Sequence, residues 1–129
     1  MAIQRLAEHH IGQVAEVLKP HALSPAQYNV LRILRGAGPD GVPCGMVAER
    51  LITRDPDITR LVDRLEARGL VERARSTTDR RVVTVRATAA ALDVLSRLEQ
   101  PTACLHAEQF KKFNKRRLEE LLNLLEDIQ

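Results

Sequence analysis

The stretch MVAERLITRDPDITRLVDRLEARGLVERARSTTDRRVVTVRAT, residues 46–88, decides the fold of this chain. Its clearest helix is expected to run from Pro56 to about Arg68. Asp55 is a residue type that caps helices, and proline is favoured in the first helical turn. Apolar residues at positions 58, 61, 62 and 65 then share one helical face, and Gly69 supplies a stop.

A basic hairpin is predicted directly after that helix. Residues 70–74 and 82–87 are short strand-like runs, and the polar segment RSTTDRR connects them. This segment carries Arg75, Arg80 and Arg81, with Asp79 as its only acidic residue. Three cations in so short a turn exceed what solubility needs, so we predict that the tip contacts DNA. The alternative is a solvated charged tip.

Three helices are expected before this stretch. An amphipathic helix runs to about Lys19, and Ser24 with Pro25 begins a second helix that is apolar around much of its circumference. Residues 36–45 hold four glycines and two prolines and predict a loop, with a short extended piece at 41–43 as one option. A short helix is expected at 45–51.

Two more helices are expected after the hairpin, so the fold class is mainly α with a small β-hairpin. Thr88 can cap the first of them, which we expect Pro101 to kink or interrupt. The last helix follows Asn114 and carries an apolar stripe. A tight helical pair immediately before a two-stranded ribbon predicts a winged helix-turn-helix core.

The chain length of 129 residues indicates a single domain, 1–129. Within it we expect residues 23–99 to form the winged-helix DNA-binding core. Residues 1–22 and 100–129 are expected to be dimerisation helices, because a core this small has no room for the apolar stripes at both chain ends. A partner chain would cover them.

Charge distribution favours a nucleic-acid partner more than the net charge of +3 does. Residues 50–86 hold ten arginines and six acidic residues, which concentrates the excess positive charge in the centre of the chain. Aromatic residues make up only 2%, which disfavours the stacking surfaces of single-strand binders. The sequence shows no membrane span and no targeting segment, which predicts a cytoplasmic protein without a membrane partner.

The outward face of the helix at 56–68 offers groups that can bond to base edges in the major groove. Arg60 and Arg64 can bond guanine, Asp57 can accept from cytosine, and Thr59 can bond either edge or touch a thymine methyl. Alternatively, these side chains only solvate the helix and pair with neighbouring acids.

LSPAQYNVLRIL, residues 23–34, together with DITRLVDRLEARGLVER and the DRR of the hairpin tip, resembles the winged-helix core of MarR-type transcriptional regulators. The resemblance implies a homodimer. The twofold symmetry of a dimer predicts a pseudo-palindromic duplex site, and we expect the regulator to act as a repressor. It also implies that Asp79 positions the wing tip and that Arg81 enters the minor groove. Ala91, where the family often has glycine, and the glycine-rich loop at 36–45 are departures that leave the reading surface unchanged.

The resemblance further implies a response either to a small lipophilic or phenolic effector or to cysteine oxidation. His10, His21 and Tyr28 are candidates for lining an effector pocket, although surface histidines and a core tyrosine are the simpler interpretation. Cys44, beside a helix start, is a candidate thiol switch. Cys104 is expected to be a small core residue.

Two other function classes remain open. One is a winged-helix module whose basic face contacts protein rather than DNA. The other is an enzyme, which we do not expect because the sequence has no recognisable nucleophile motif, phosphate-binding loop or metal-ligand cluster. No cofactor and no metal are predicted.

Overall fold

The computed structural model describes residues 1–51 and 57–129. Six α-helices and three strands occupy these residues, which confirms the expected mainly α fold. In chain order they are α1 (Ala2–Leu18), a 3-10 turn (Lys19–His21), α2 (Pro25–Ala37), β1 (Val42–Pro43), α3 (Cys44–Arg50), α4 (Ile58–Ala67), β2 (Val71–Arg75), β3 (Val83–Ala87), α5 (Ala89–Gln109) and α6 (Lys115–Ile128). No helix in the described ranges is long and apolar enough to cross a membrane.

Three helices begin where the sequence predicts, and two of them at predicted cap residues, Ser24 and Thr88. The side chains of Ser24, Thr88 and Asn114 each accept a hydrogen bond from the backbone N–H three residues later. At Ser24 the cap is reciprocal, because Gln27 accepts from the Ser24 N–H at 3.0 Å. These bonds satisfy N–H groups that a helix start otherwise leaves without partners.

The start of α4 differs from the expectation. Asp55 and Pro56, the predicted cap and first-turn residues, lie outside the described residues. In the described part the helix begins at Ile58 with Asp57 as its N-cap, and the Asp57 carboxylate accepts from the Arg60 N–H at 3.0 Å. The helix ends at a glycine stop as predicted, since Gly69 adopts a left-handed φ of 71°.

The prediction that Pro101 interrupts this helix was wrong, because α5 continues through Pro101 from Ala89 to Gln109. Proline removes one backbone hydrogen bond and crowds the preceding turn, at a cost of about 3 kcal/mol. Burial of Leu98 and Thr102 on either side offsets this cost, and the Thr102 hydroxyl donates to the Leu98 carbonyl at 2.7 Å. The chain instead leaves the helix at Phe110, before Asn114 starts α6.

The strands form one antiparallel sheet in the order β1-β3-β2. The predicted hairpin is β2–β3, in which Arg75 lies opposite Val83 at the end next to the turn. The optional extended piece is β1, which pairs Val42 with Val85. Gly41 precedes it with a φ of 71°, and a Cβ there would lie 2.4 Å from the Val85 carbonyl oxygen, so only glycine fits.

The core lies between the sheet and the helices α1 to α5. Leu31, Leu65 and Leu98 are among its fully buried side chains. The last helix stands apart, because α6 has no buried residue and leaves Leu122, Leu124 and Ile128 exposed. Cys104 is also exposed, so its assignment to the core was wrong: it lies on a part of α5 that faces away from the packed helices.

Candidate nucleic-acid interface and ligand cavity

Helix α4 has one buried side and one exposed side. Leu61, Val62 and Leu65 are buried against the core, whereas Thr59, Arg60 and Arg64 are exposed. The helical period produces this division, since the apolar residues recur at three- and four-residue steps. Three of the four residues predicted to read bases therefore lie on the solvent side of one helix.

Asp57, the fourth of these residues, caps α4 as well as bordering its outward face. The second oxygen of its carboxylate lies 3.5 Å from the Arg60 Nε, and both side chains are more than half exposed. An exposed pair of this kind contributes little, about 0–1 kcal/mol, because water and salt screen it. Arg60 can therefore exchange this pair for another acceptor at small cost, and base contact by Asp57 itself stays a prediction.

The four predicted wing residues divide into two roles. Arg75 donates to the Arg80 carbonyl at 2.9 Å, and the Asp79 carboxylate accepts from the Arg81 N–H at 3.0 Å. These two side chains shape the turn between the strands. Arg80 and Arg81 have exposed side chains at the tip, so this is where the hairpin presents positive charge.

Arg73 joins the wing to α4, a role that the sequence analysis missed. Its guanidinium pairs with the Asp63 carboxylate, its Nε lies 3.7 Å from a Glu66 oxygen, and its backbone N–H donates to that oxygen at 3.3 Å. The Arg73 side chain is only 26% exposed. The side chain of Asp63, which is about half exposed, is therefore turned towards β2. The turn at Gly69 brings these residues together, but no local pattern in the sequence indicates that Arg73 pairs with Asp63 and Glu66.

Two of the three candidate effector residues, His10 and Tyr28, line one cavity of about 320 Å³ among α1, α2 and α5. His21 is not part of this lining, because it lies in the 3-10 turn beyond the face of α1 that carries His10. The remaining lining residues are Ile11, Val14, Pro25, Asn29, Arg32, Thr102, His106, Gln109 and Phe110. His21 therefore lies outside the cavity that His10 and Tyr28 line, and residues of α5 complete its wall.

The cavity combines an apolar wall with basic groups. The His10 and Phe110 rings meet edge to face at 5.7 Å, and the Arg32 guanidinium lies 5.6 Å from the centre of the Tyr28 ring. Three basic residues line the cavity: His10, Arg32 and His106. Its lining contains no Asp or Glu. Apolar or aromatic molecules that carry a negative charge suit such a wall.

Cys44 is the first residue of α3 and is partly buried at the edge of the core. It is a free thiol. Its sensitivity to oxidation stays a prediction.

An exposed helix face beside a three-stranded sheet with a basic hairpin tip defines the class of protein, a winged helix-turn-helix protein. The sequence model of the MarR family matches residues 22–82. The crystal structure of a MarR transcription factor from Planctomyces limnophilus is 40% identical, with a TM-score of 0.74 over 96% of this chain and 90% of that one. This chain belongs to the MarR family of transcription regulators.

Two further relatives bear on function. A mutant of MarR from E. coli, solved in complex with operator DNA, is 26% identical with a TM-score of 0.89, over 98% of this chain and 90% of that one. The transcriptional repressor MdtR from Bacillus subtilis is 30% identical over 83 residues, or 64% of this chain. The chain spans about half, 52%, of the length of MdtR.

Proposed function

We propose that this chain binds double-stranded DNA sequence-specifically and regulates transcription as a homodimeric, ligand-responsive repressor. The observation that carries the proposal is the fixed arrangement of two basic elements side by side: α4 with Arg60 and Arg64, and the wing tip with Arg80 and Arg81. Arg73 connects them. A helix about 10–12 Å across fits the major groove, while the adjoining hairpin reaches the neighbouring minor groove or the phosphates.

The two elements have different tasks in this proposal. Arg60 and Arg64 bond the acceptors of guanine, and Thr59 bonds a base edge or touches a thymine methyl, so α4 selects the sequence. Arg81 and Arg80 add attraction to the phosphates and the minor groove, which carries little sequence information. The relative solved with operator DNA supports duplex binding in general.

Homodimerisation is supported by the apolar residues that a single chain leaves exposed. On α6 they are Leu122, Leu124, Leu125 and Ile128, and on α1 they include Ile3 and Leu6. Exposed clusters of this kind mark protein interfaces. A second copy with twofold symmetry would cover them and place two α4 helices on half-sites roughly 10 bp apart in a pseudo-palindromic duplex.

Repression is supported by the similarity to the transcriptional repressor MdtR. A ligand response is supported by the position of the cavity. The cavity joins α1 and α5 to α2, the helix that opens the DNA-binding core. A small lipophilic or phenolic molecule bound there shifts the relative positions of these helices only if it binds one arrangement more tightly than the other. No catalytic step is part of this proposal, and the cytoplasm is the proposed location.

Selection from a random duplex library tests the proposal, with the purified protein at physiological salt and its mass in solution measured alongside. A pseudo-palindromic consensus bound by a dimer supports it. Absence of enrichment contradicts it and favours the protein-assembly module. The salt dependence gives a second discriminator, because binding through phosphates weakens with a log–log slope of about −0.9 for each phosphate neutralised.

A further inference from the structure

Arg68, the residue at the C-terminal end of α4, reaches across to the junction between α1 and α2. Its Nη1 donates to the Ala22 carbonyl at 2.6 Å and its Nη2 donates to the His21 carbonyl at 2.8 Å. These two bonds join the helix proposed to read DNA to a turn that is distant in sequence.

The junction is built to receive such a donor. The 3-10 turn Lys19–His21 ends at Ala22, whose φ of 51° makes it the one non-glycine residue with a left-handed backbone in the described ranges. Carbonyl groups at a helix end lack partners within the helix and carry partial negative charge. The planar guanidinium of arginine presents parallel donors, which suits two adjacent carbonyl oxygens better than a lysine ammonium does.

The same junction connects two walls of the ligand cavity. His10 and Val14 belong to α1 before it, and Pro25 and Tyr28 belong to α2 after it. Leu18 and Leu23, which flank the turn, are buried in the core, so the turn is anchored on both sides. A displacement of α1 against α2 therefore moves the carbonyls that hold Arg68.

We propose that Arg68 is a positioning residue that fixes α4 to the α1–α2 junction and so couples the cavity to the DNA-reading helix. This inference rests on the proposed function. It assigns Arg68 no contact with DNA, although its position on α4 makes a phosphate contact the competing explanation. The two explanations differ in salt dependence, because a positioning residue neutralises no phosphate.

The first experiment measures the affinity for the selected duplex over a range of salt concentrations. Arg68→Ala is expected to weaken binding by about tenfold with an unchanged log–log slope, and Arg68→Lys by less, since one ammonium cannot hold both carbonyls in the same geometry. Arg97→Ala, which removes an exposed arginine from α5, is the matched control and keeps wild-type affinity. Wild-type affinity in Arg68→Ala overturns the proposal. A log–log salt slope that is shallower by about 0.9, the contribution of one phosphate, also overturns the proposal and favours direct contact between Arg68 and DNA.

The second experiment measures hydrogen exchange at the backbone amides of Ala22 and Leu23, which donate to the Lys19 and Leu18 carbonyls at 3.0 and 3.5 Å. Because coupling is reciprocal, the duplex bound at α4 is expected to slow exchange at these amides in the wild type and in Arg97→Ala, but not in Arg68→Ala. Equal slowing in all three overturns the coupling.

The free protein separates failure of this inference from failure of the proposed function. A wild type that binds no duplex rejects the function, and the attachment of Arg68 to the α1–α2 junction is then tested without DNA. Faster exchange at Ala22 and Leu23 in both Arg68→Ala and Arg68→Lys supports this attachment, whereas unchanged rates overturn it. Use of both variants keeps the test valid if the alanine variant folds poorly.

Discussion

Arg73 of β2 and Asp63 of α4 form an ion pair across the turn at Gly69, and this pair joins the wing to the helix proposed to read DNA. Glu66, one helical turn after Asp63, flanks the same guanidinium. Since Arg73 is mostly buried and Asp63 is about half exposed, solvent screens the pair only in part. The distance between α4 and the wing tip, and hence between the groove contacts proposed for them, depends on this pair.

A double-mutant cycle on Asp63→Ala and Arg73→Ala is expected to show a coupling energy of about 1 kcal/mol in the free energy of unfolding, above the ~0.3–0.5 kcal/mol of an exposed helical pair. Chemical denaturation measures it. The exposed pair Asp93–Arg97 on α5 is the matched control. Equal coupling energies for the two pairs would contradict a bracing role for Arg73.

Arg60→Ala and Arg81→Ala are expected to weaken duplex binding in different ways. Loss of Arg60 should relax the preference at particular base pairs by ~1–3 kcal/mol, because arginine is bidentate to guanine. Loss of Arg81 should lower the affinity for all sequences by a similar factor. It should also make the log–log salt slope shallower by about 0.9, the contribution of one phosphate. Binding to a panel of single-base operator variants at several salt concentrations measures both effects. Sequence-blind losses from both variants would reject the division of roles.

The helix caps were predictable because their chemistry is local. Ser24, Thr88 and Asn114 bond to N–H groups three residues away, and a hydroxyl or amide before an apolar periodic run is sufficient to indicate that geometry. The same locality explains the turn at Gly69, where the backbone needs a positive φ. Most of the helix and strand boundaries follow from such patterns among residues close together in the sequence.

The remaining features depend on tertiary contacts that no local pattern contains. Burial of Leu98 and Thr102 lets α5 continue through Pro101, and only the packed structure reveals that burial. Nothing in the sequence distinguishes Arg73 and Arg68 from other surface arginines. The turn after α4 brings Arg73 to Asp63, and the packing of the α1–α2 junction brings the Ala22 carbonyl to Arg68. The candidate site was therefore predictable in its exposed cations and not in the contacts that position them.

Leu122→Glu together with Leu125→Glu is expected to convert the proposed dimer into a monomer. Burying a leucine side chain contributes about 1.5–3 kcal/mol, and the charge makes burial unfavourable as well. Analytical ultracentrifugation over a concentration series measures the shift, and duplex affinity should fall with it because two half-sites are no longer bound together.

Leu92→Glu is the matched control for this change, since Leu92 is an exposed leucine on α5, outside the chain ends. It should leave the mass in solution unchanged. A dimer that survives both substitutions on α6 would show that α6 is not the interface. Dissociation by the control as well would place the interface elsewhere on the surface.

The cavity among α1, α2 and α5 is expected to prefer anionic aromatic molecules, because Arg32, His10 and His106 are in its lining and no Asp or Glu is. Anilinonaphthalene sulfonate should bind more tightly than phenylnaphthylamine, its uncharged parent, and Arg32→Ala should reduce that difference by about tenfold, the equivalent of one charge-assisted contact. Fluorescence titration measures both affinities. Arg35→Ala is the control, since Arg35 lies on the same helix but pairs with Glu99 at 3.2 Å and is not among the residues that line this cavity. Equal binding of the two dyes to the wild type would reject the charge preference, whereas an equal loss in both variants would show that only the overall charge of α2 matters.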